Sequence, residues 1–184
     1  MECLKDTHIG DLCIEGMQRT EAFQKDLNYY LGPNWTVNYK PRESVAKYLL
    51  HLKQLEKTDP NMLMAYIYHL YMGLLSGGQI LRKKRSVMRK LNPFSTEDSY
   101  SDAVTDFGNY SIFQIKKDLV DAMNSIANIL DDKTKSKLIE ESKRVFLMNN
   151  EIIRSVQGAN VVILKKLLLI IIFLIVIMVI YYIM

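Results

Sequence analysis

The segment Ala65-Tyr66-Ile67-Tyr68-His69-Leu70-Tyr71-Met72-Gly73-Leu74-Leu75-Ser76-Gly77-Gly78-Gln79 favours a helix throughout, yet it places three glycines in its second half. Each glycine inside a helix costs about 1 kcal/mol against alanine. A chain that carries this cost usually needs its backbone bare so that something can approach it closely. The spacing sharpens the point. His69, Gly73 and Gly77 are four residues apart and share one stripe of a helix, so a histidine is followed by two patches of naked backbone. A flat ligand could lie across such a stripe. The alternative is close helix–helix packing through small residues, and spacing alone leaves both open.

Working outward, the pattern is helical nearly everywhere, with no convincing strand periodicity. Glu15 to Leu31 reads as a helix ended by Gly32-Pro33. A second runs from about Pro41 to Lys57 and keeps Val45, Leu49, Leu52 and Leu55 on one face. The glycine-bearing helix is predicted to start with Asp59 as N-cap and Pro60 as its first residue, and to continue, interrupted by its glycines, to about Leu91. Asn92 to Asn109 is polar and reads as a loop. Two further helices are expected, at Tyr110–Leu130 and Thr134–Gln157, with Gly158 as the C-cap of the last. The fold class is therefore all-α.

The C-terminus differs in kind. Leu167 to Met184 contains no charged residue. Eighteen helical residues at a rise of about 1.5 Å span about 27 Å, close to the hydrocarbon thickness of a bilayer. Lys165 and Lys166 precede the run and nothing follows it, which is the charge asymmetry of a domain facing the cytosol. The first residues have no apolar core resembling a secretory signal. The expectation is a tail-anchored protein, and so short a span suits the endoplasmic reticulum, with the mitochondrial outer membrane as the alternative. The sequons at Asn34 and Asn109 would then stay unused.

Composition excludes several classes. The net charge is +4, and two of the 24 basic residues are Lys165 and Lys166; the remainder stands near balance against 20 acidic residues, which argues against nucleic-acid binding. Cys3 and Cys13 form neither a metal motif nor a disulfide framework. There is no phosphate-binding glycine loop.

The Leu-Ser-Gly-Gly-Gln core at Leu75–Gln79 resembles the signature of the heme oxygenase family, where a kinked distal helix lies over heme. Glu21-Ala22-Phe23-Gln24-Lys25-Asp26-Leu27 followed by Tyr30-Leu31-Gly32-Pro33-Asn34-Trp35 resembles the family's segment ahead of that helix. Ile139 to Asn149 resembles its last core helix. The resemblance runs from about Ile14 to the end, and its insect branch is the nearest form. It implies a heme-oxygenase-like domain over 14–158, an unmatched segment at 1–13 and an anchor at 161–184. It also implies that Gly73 and Gly77, with Ser76 between them, bring backbone against heme. Tyr68 would order distal water and His69 would line the distal face. Lys116 would pair with a propionate, and Phe146 and Asn149 would wall the pocket. The implied reaction is oxidative opening of heme to biliverdin, carbon monoxide and ferrous iron. Heme is then both cofactor and substrate, and electrons come from an NADPH–cytochrome reductase.

Three departures from the family pattern stand out. The N-terminal helix bearing the family's proximal histidine has no counterpart, so the iron ligand is unknown; His8 is read as a disordered terminal histidine. Leu74 replaces an aspartate of the signature, and leucine forms no hydrogen bond. Val120 replaces an arginine that would hold the second propionate. These departures leave a catalytically inactive heme-binding or scaffold protein as the alternative. They also raise the possibility that His69 binds iron from the distal side. The basic run Arg82-Lys83-Lys84-Arg85, with Arg89 and Lys90, is expected to be a solvated face or a dock for an acidic reductase surface.

Overall fold

The structure, a computed structural model, describes residues 8–91 and 102–183. Among them every regular element is helical. Two compact units divide the chain, Met1–Met148 and Asn149–Met184.

The first unit begins earlier than expected. Ile9 and Leu12 flank or belong to the short 3-10 turn Gly10–Leu12, and both are buried along with Met17. The expectation of a disordered start is therefore corrected for His8, which lies 3.9 Å from Asp11 on the edge of this packed turn. Helix α1 (Thr20–Leu31) starts five residues later than Glu15. Gly16 is the reason: its φ of +85° cannot be part of a right-handed helix. A side chain there would also meet the Tyr110 ring at 2.9 Å. Gly32, at φ +85°, ends α1 as expected. The single turn α2 (Trp35–Asn38) leads to α3 (Glu43–Thr58), which begins two residues after the expected Pro41.

Pro60 does open a helical segment, but a 3-10 turn, Pro60–Met62, precedes α4 (Leu63–Gly73). Asp59 makes no side-chain cap; its carboxylate instead meets Lys137 Nζ at 3.4 Å. Gly73, Gly77 and Gly78 do not break the rod. A π-turn, Leu74–Gly78, carries it into α5 (Gln79–Leu91). One residue is added to the helical repeat, which shifts the faces that follow and is a common cause of a bend.

Of the expected loop, 92–101 lies outside the described residues. The remainder is firmly held: Ala103–Thr105 forms a 3-10 turn against α1. Asp26 accepts the backbone N–H groups of Ala103 and Val104 at 2.9 and 3.1 Å. Arg19 donates to the carbonyls of Ala103 and Val104 and stacks 4.4 Å over the Phe107 ring. Helix α6 (Ile112–Ile129) is capped by Ser111, whose hydroxyl accepts from the Gln114 N–H. Helix α7 (Asp132–Arg154) follows. Ile115, Leu119, Leu138 and Val145 from these two helices join Met64, Tyr66 and Leu75 in the core.

The second unit holds the end of α7, Gly158 at φ +84°, and α8 (Ala159–Ile183). The expected anchor lies on α8, several of whose side chains fall outside the described residues. Among the described residues no helix is long and apolar enough to cross a membrane.

Candidate functional site

The rod formed by α4, the π-turn and α5 has two unlike sides. Gly78 is packed: a Cβ there would sit 3.1 Å from Leu74 and 3.2 Å from Thr105. Here the small-residue packing reading is the right one. Gly73 and Gly77 are the opposite case, for a Cβ at either would meet nothing within 4 Å. Their glycines are therefore not explained by helix packing.

Both open glycines line a cavity of about 880 Å³. Its apolar walls come from Phe23 on α1, Leu70 and Leu74 on the rod, Leu81 on α5, and Val104 of the pinned turn. The polar side chains on its wall already have protein partners. Asp26 holds the turn, Tyr71 donates to the Met17 carbonyl, and Arg85 donates from Nη2 to Thr105 Oγ1 at 3.2 Å, while its buried Nε has no partner among the described residues. Burial raises the Tyr71 pKa, partly offset by Arg19.

The other predicted residues gather along the same rod. Tyr68 and His69 are edge-to-face neighbours on α4, ring centroids 5.3 Å apart. His69 also packs against Phe146 from α7, ring centroids 4.9 Å apart and planes tilted by 60°. Burial lowers the His69 pKa, favouring the neutral ring. Lys116 on α6 donates from Nζ to Ser76 Oγ at 2.9 Å, so one ammonium stands beside the π-turn. Phe146 is 56% exposed, available to wall a ligand. Asn149 is half-buried and belongs to the second unit.

The basic run is divided in its work. Arg82 reaches Asp106 at 3.0 Å and Asp102 at 3.6 Å, and Arg85 holds Thr105, so both fasten the turn that walls the cavity. Lys83 and Lys84 remain exposed, and the side chain of Arg89 lies outside the described residues.

Sequence reasoning missed a buried polar cluster just before the stripe. Tyr66 donates to Glu141 Oε1 at 2.7 Å, and His51 Nε2 meets the same oxygen at 2.6 Å. Burial by itself would raise the Glu141 carboxyl; hydrogen bonds from Tyr66 and His51, with Arg144 nearby, outweigh it and hold the pKa below its ordinary value. The Tyr66 hydroxyl is pushed well up, first by burial and then by its bond to Glu141. These partners lie 75 and 90 residues apart in sequence, and no local motif joins them.

A family model for heme oxygenase matches residues 2–155. The chain belongs to the heme oxygenase family. Heme oxygenase 1 of Gallus gallus is 32% identical over 77% of this chain and 46% of its own length. Heme oxygenase 2 of the cyanobacterium Synechocystis is 31% identical over 81% of this chain and 58% of its own. The chain thus spans about half the length of these relatives. The fold resembles the crystal structure of Synechocystis heme oxygenase-1 in complex with heme, with a TM-score of 0.74 at 24% identity over 91% of this chain and 73% of that one. The family model also begins at residue 2, well before the resemblance read at Ile14.

Proposed function

We propose that the face bearing Gly73 and Gly77 binds heme and that the chain acts on it as a heme oxygenase, yielding biliverdin, carbon monoxide and ferrous iron. The observation that carries this reading is the open pair of glycines on an apolar cavity of about 880 Å³. Family membership supports it, as does the heme held by the Synechocystis neighbour. The residues suit the group. Bare backbone admits a flat macrocycle, apolar walls desolvate it, and Lys116 offers a charge-assisted bond to a carboxylate after releasing Ser76. Phe146 and His69 would border it, and Tyr68 would help order water near it. When bound, heme supplies the iron centre at which oxygen is activated, with electrons from an NADPH–cytochrome reductase.

We also propose that the run Leu167–Met184 anchors the chain in the endoplasmic reticulum membrane with the domain in the cytosol; its lack of any charge supports this. A shared membrane would raise the effective concentration of the reductase.

A second reading, heme binding without turnover, is favoured by one feature. Leu70 and Leu74 face the cavity, and Asp26, Tyr71 and Arg85 on its wall are engaged with protein partners. Such a wall has little with which to hold a water and pass a proton.

The test uses the full chain in detergent. Hemin titration is expected to give a stoichiometric complex with a shifted Soret band, and Gly77→Leu should abolish it. Added reductase and NADPH should then yield biliverdin. No complex with the unaltered chain would overturn the heme reading; a complex without biliverdin would establish the second one.

A further inference from the structure

We propose, on the reading that the Gly73 and Gly77 face takes heme, that Arg85 recognises the opened tetrapyrrole. Its guanidinium donates to the carbonyl oxygens that ring opening creates, and so the cavity distinguishes biliverdin from heme.

Arg85 sits on α5 and lines the apolar cavity. One of its N–H donors is committed, from Nη2 to Thr105 Oγ1 at 3.2 Å. Its Nε is buried and has no partner among the described residues. The other polar side chains of this wall are turned towards the protein. Asp26 receives the backbone amides of Ala103 and Val104 at 2.9 and 3.1 Å, and the Tyr71 hydroxyl donates to the Met17 carbonyl. The Thr105 hydroxyl, already accepting from Arg85, donates to the Asp102 carbonyl at 3.1 Å. A buried N–H without an acceptor leaves its desolvation uncompensated, and a cation against apolar walls feels that most. An oxygen atom entering the cavity is what such a group lacks. Rotation about the side chain's own single bonds turns Nε towards the space that the residue already lines.

The two sides of the glycine stripe decide which oxygen this is. Lys116 stands at Ser76, outside the lining of the cavity, and is the partner offered to a heme carboxylate. Both carboxylates of heme share one edge of the ring. Pairing with Lys116 therefore turns the opposite, hydrocarbon edge towards the wall of Leu81, Val104 and Arg85. Heme offers Arg85 no acceptor there. Opening at that edge removes one bridging carbon and leaves a carbonyl oxygen on each of the pyrroles that flanked it. Biliverdin thus carries acceptors that heme lacks, and a charge-assisted bond from Nε completes the guanidinium's bonding. Arginine stays protonated in proteins, so Arg85 adds recognition of oxygen and no proton relay.

The experiment titrates hemin and biliverdin separately into the full chain in detergent, followed by the Soret band and by the long-wavelength absorption of biliverdin. Arg85→Leu is expected to weaken biliverdin binding by about tenfold or more and to leave hemin binding as tight or tighter. Infrared difference spectra should place the terminal carbonyl stretch of bound biliverdin at lower frequency in the unaltered chain than in Arg85→Leu, a shift that lost packing alone does not produce. Arg82→Leu loosens the same turn at Asp102 and Asp106 but keeps Arg85, so the ratio of the two affinities should not change. Equal weakening of hemin and biliverdin in Arg85→Leu, an unchanged biliverdin affinity or carbonyl stretch there, or a changed ratio in Arg82→Leu overturns the assignment. Failure of the unaltered chain to bind hemin overturns the heme reading itself, and is seen before any substitution is made.

Discussion

Two regions less than three turns apart on one helical rod are built on opposite terms. At Tyr66 the polar groups close on one another: the hydroxyl and the His51 ring both meet the Glu141 carboxylate, at 2.7 and 2.6 Å. At Gly73 and Gly77 nothing closes; the backbone is bare and a side chain would meet open space. The first region holds the fold together. The second accepts the helix-propensity cost of glycine and obtains no packing in return, which is the pattern of a surface kept for something outside the chain.

The contrast can be broken most forcefully at its satisfied end. Glu141→Ala leaves the Tyr66 hydroxyl and the His51 ring without their acceptor. It should destabilise the first unit by about 3 kcal/mol, read from chemical denaturation followed by circular dichroism. Next come the glycines. Gly78→Ala pushes into Leu74 and Thr105 and should cost about 1 kcal/mol despite alanine's better propensity. Gly73→Ala meets nothing, so it should raise stability by up to about 1 kcal/mol while weakening hemin binding about tenfold. Opposite signs for stability and binding at Gly73, and matching losses at Gly78, would sharpen the comparison; a stability loss at Gly73 would end it.

Smaller effects follow from protonation. The Glu141 carboxyl lies below its ordinary value in the folded state, so its stabilisation is present above about pH 4.5 and is lost as pH falls through the folded pKa. Glu141→Gln should flatten that acid limb of the stability curve. His69 gives the smallest effect. Its pKa is lowered by burial, so the unfolded chain binds the proton more readily and stability declines as pH falls through 6.5. His69→Phe should remove that slope.

Much of this was legible in the sequence. The helical period placed α3, α6 and α7 nearly at their observed bounds, because an amphipathic face is a local property. The stripe of His69, Gly73 and Gly77 was visible for the same reason. What escaped notice depended on distant partners. Glu15 looked helical until Gly16 met the Tyr110 ring. Asp59 looked like a cap, but Lys137 is where its carboxylate goes. Ala103–Thr105, inside a polar stretch, looked like loose loop, because Asp26 and Arg19 hold it from 77 to 85 residues away. The division of the basic run is invisible locally as well: Arg82 and Arg85 differ from Lys83 and Lys84 only in which side of α5 faces the turn.

That pinned turn has a consequence in time. Val104 and Thr105 form one wall of the cavity, yet the bonds that hold them close some of the longest loops in the chain. Contacts of such sequence separation form late in folding and are slow to establish. The rod's tie to α7 through Tyr66 and Glu141 spans a comparable 75 residues, so the pocket's wall and the packing behind the rod both close late. A ligand present during synthesis would then meet a half-built site and become part of its assembly, and the backbone amides of Ala103 and Val104 would gain protection from hydrogen exchange late.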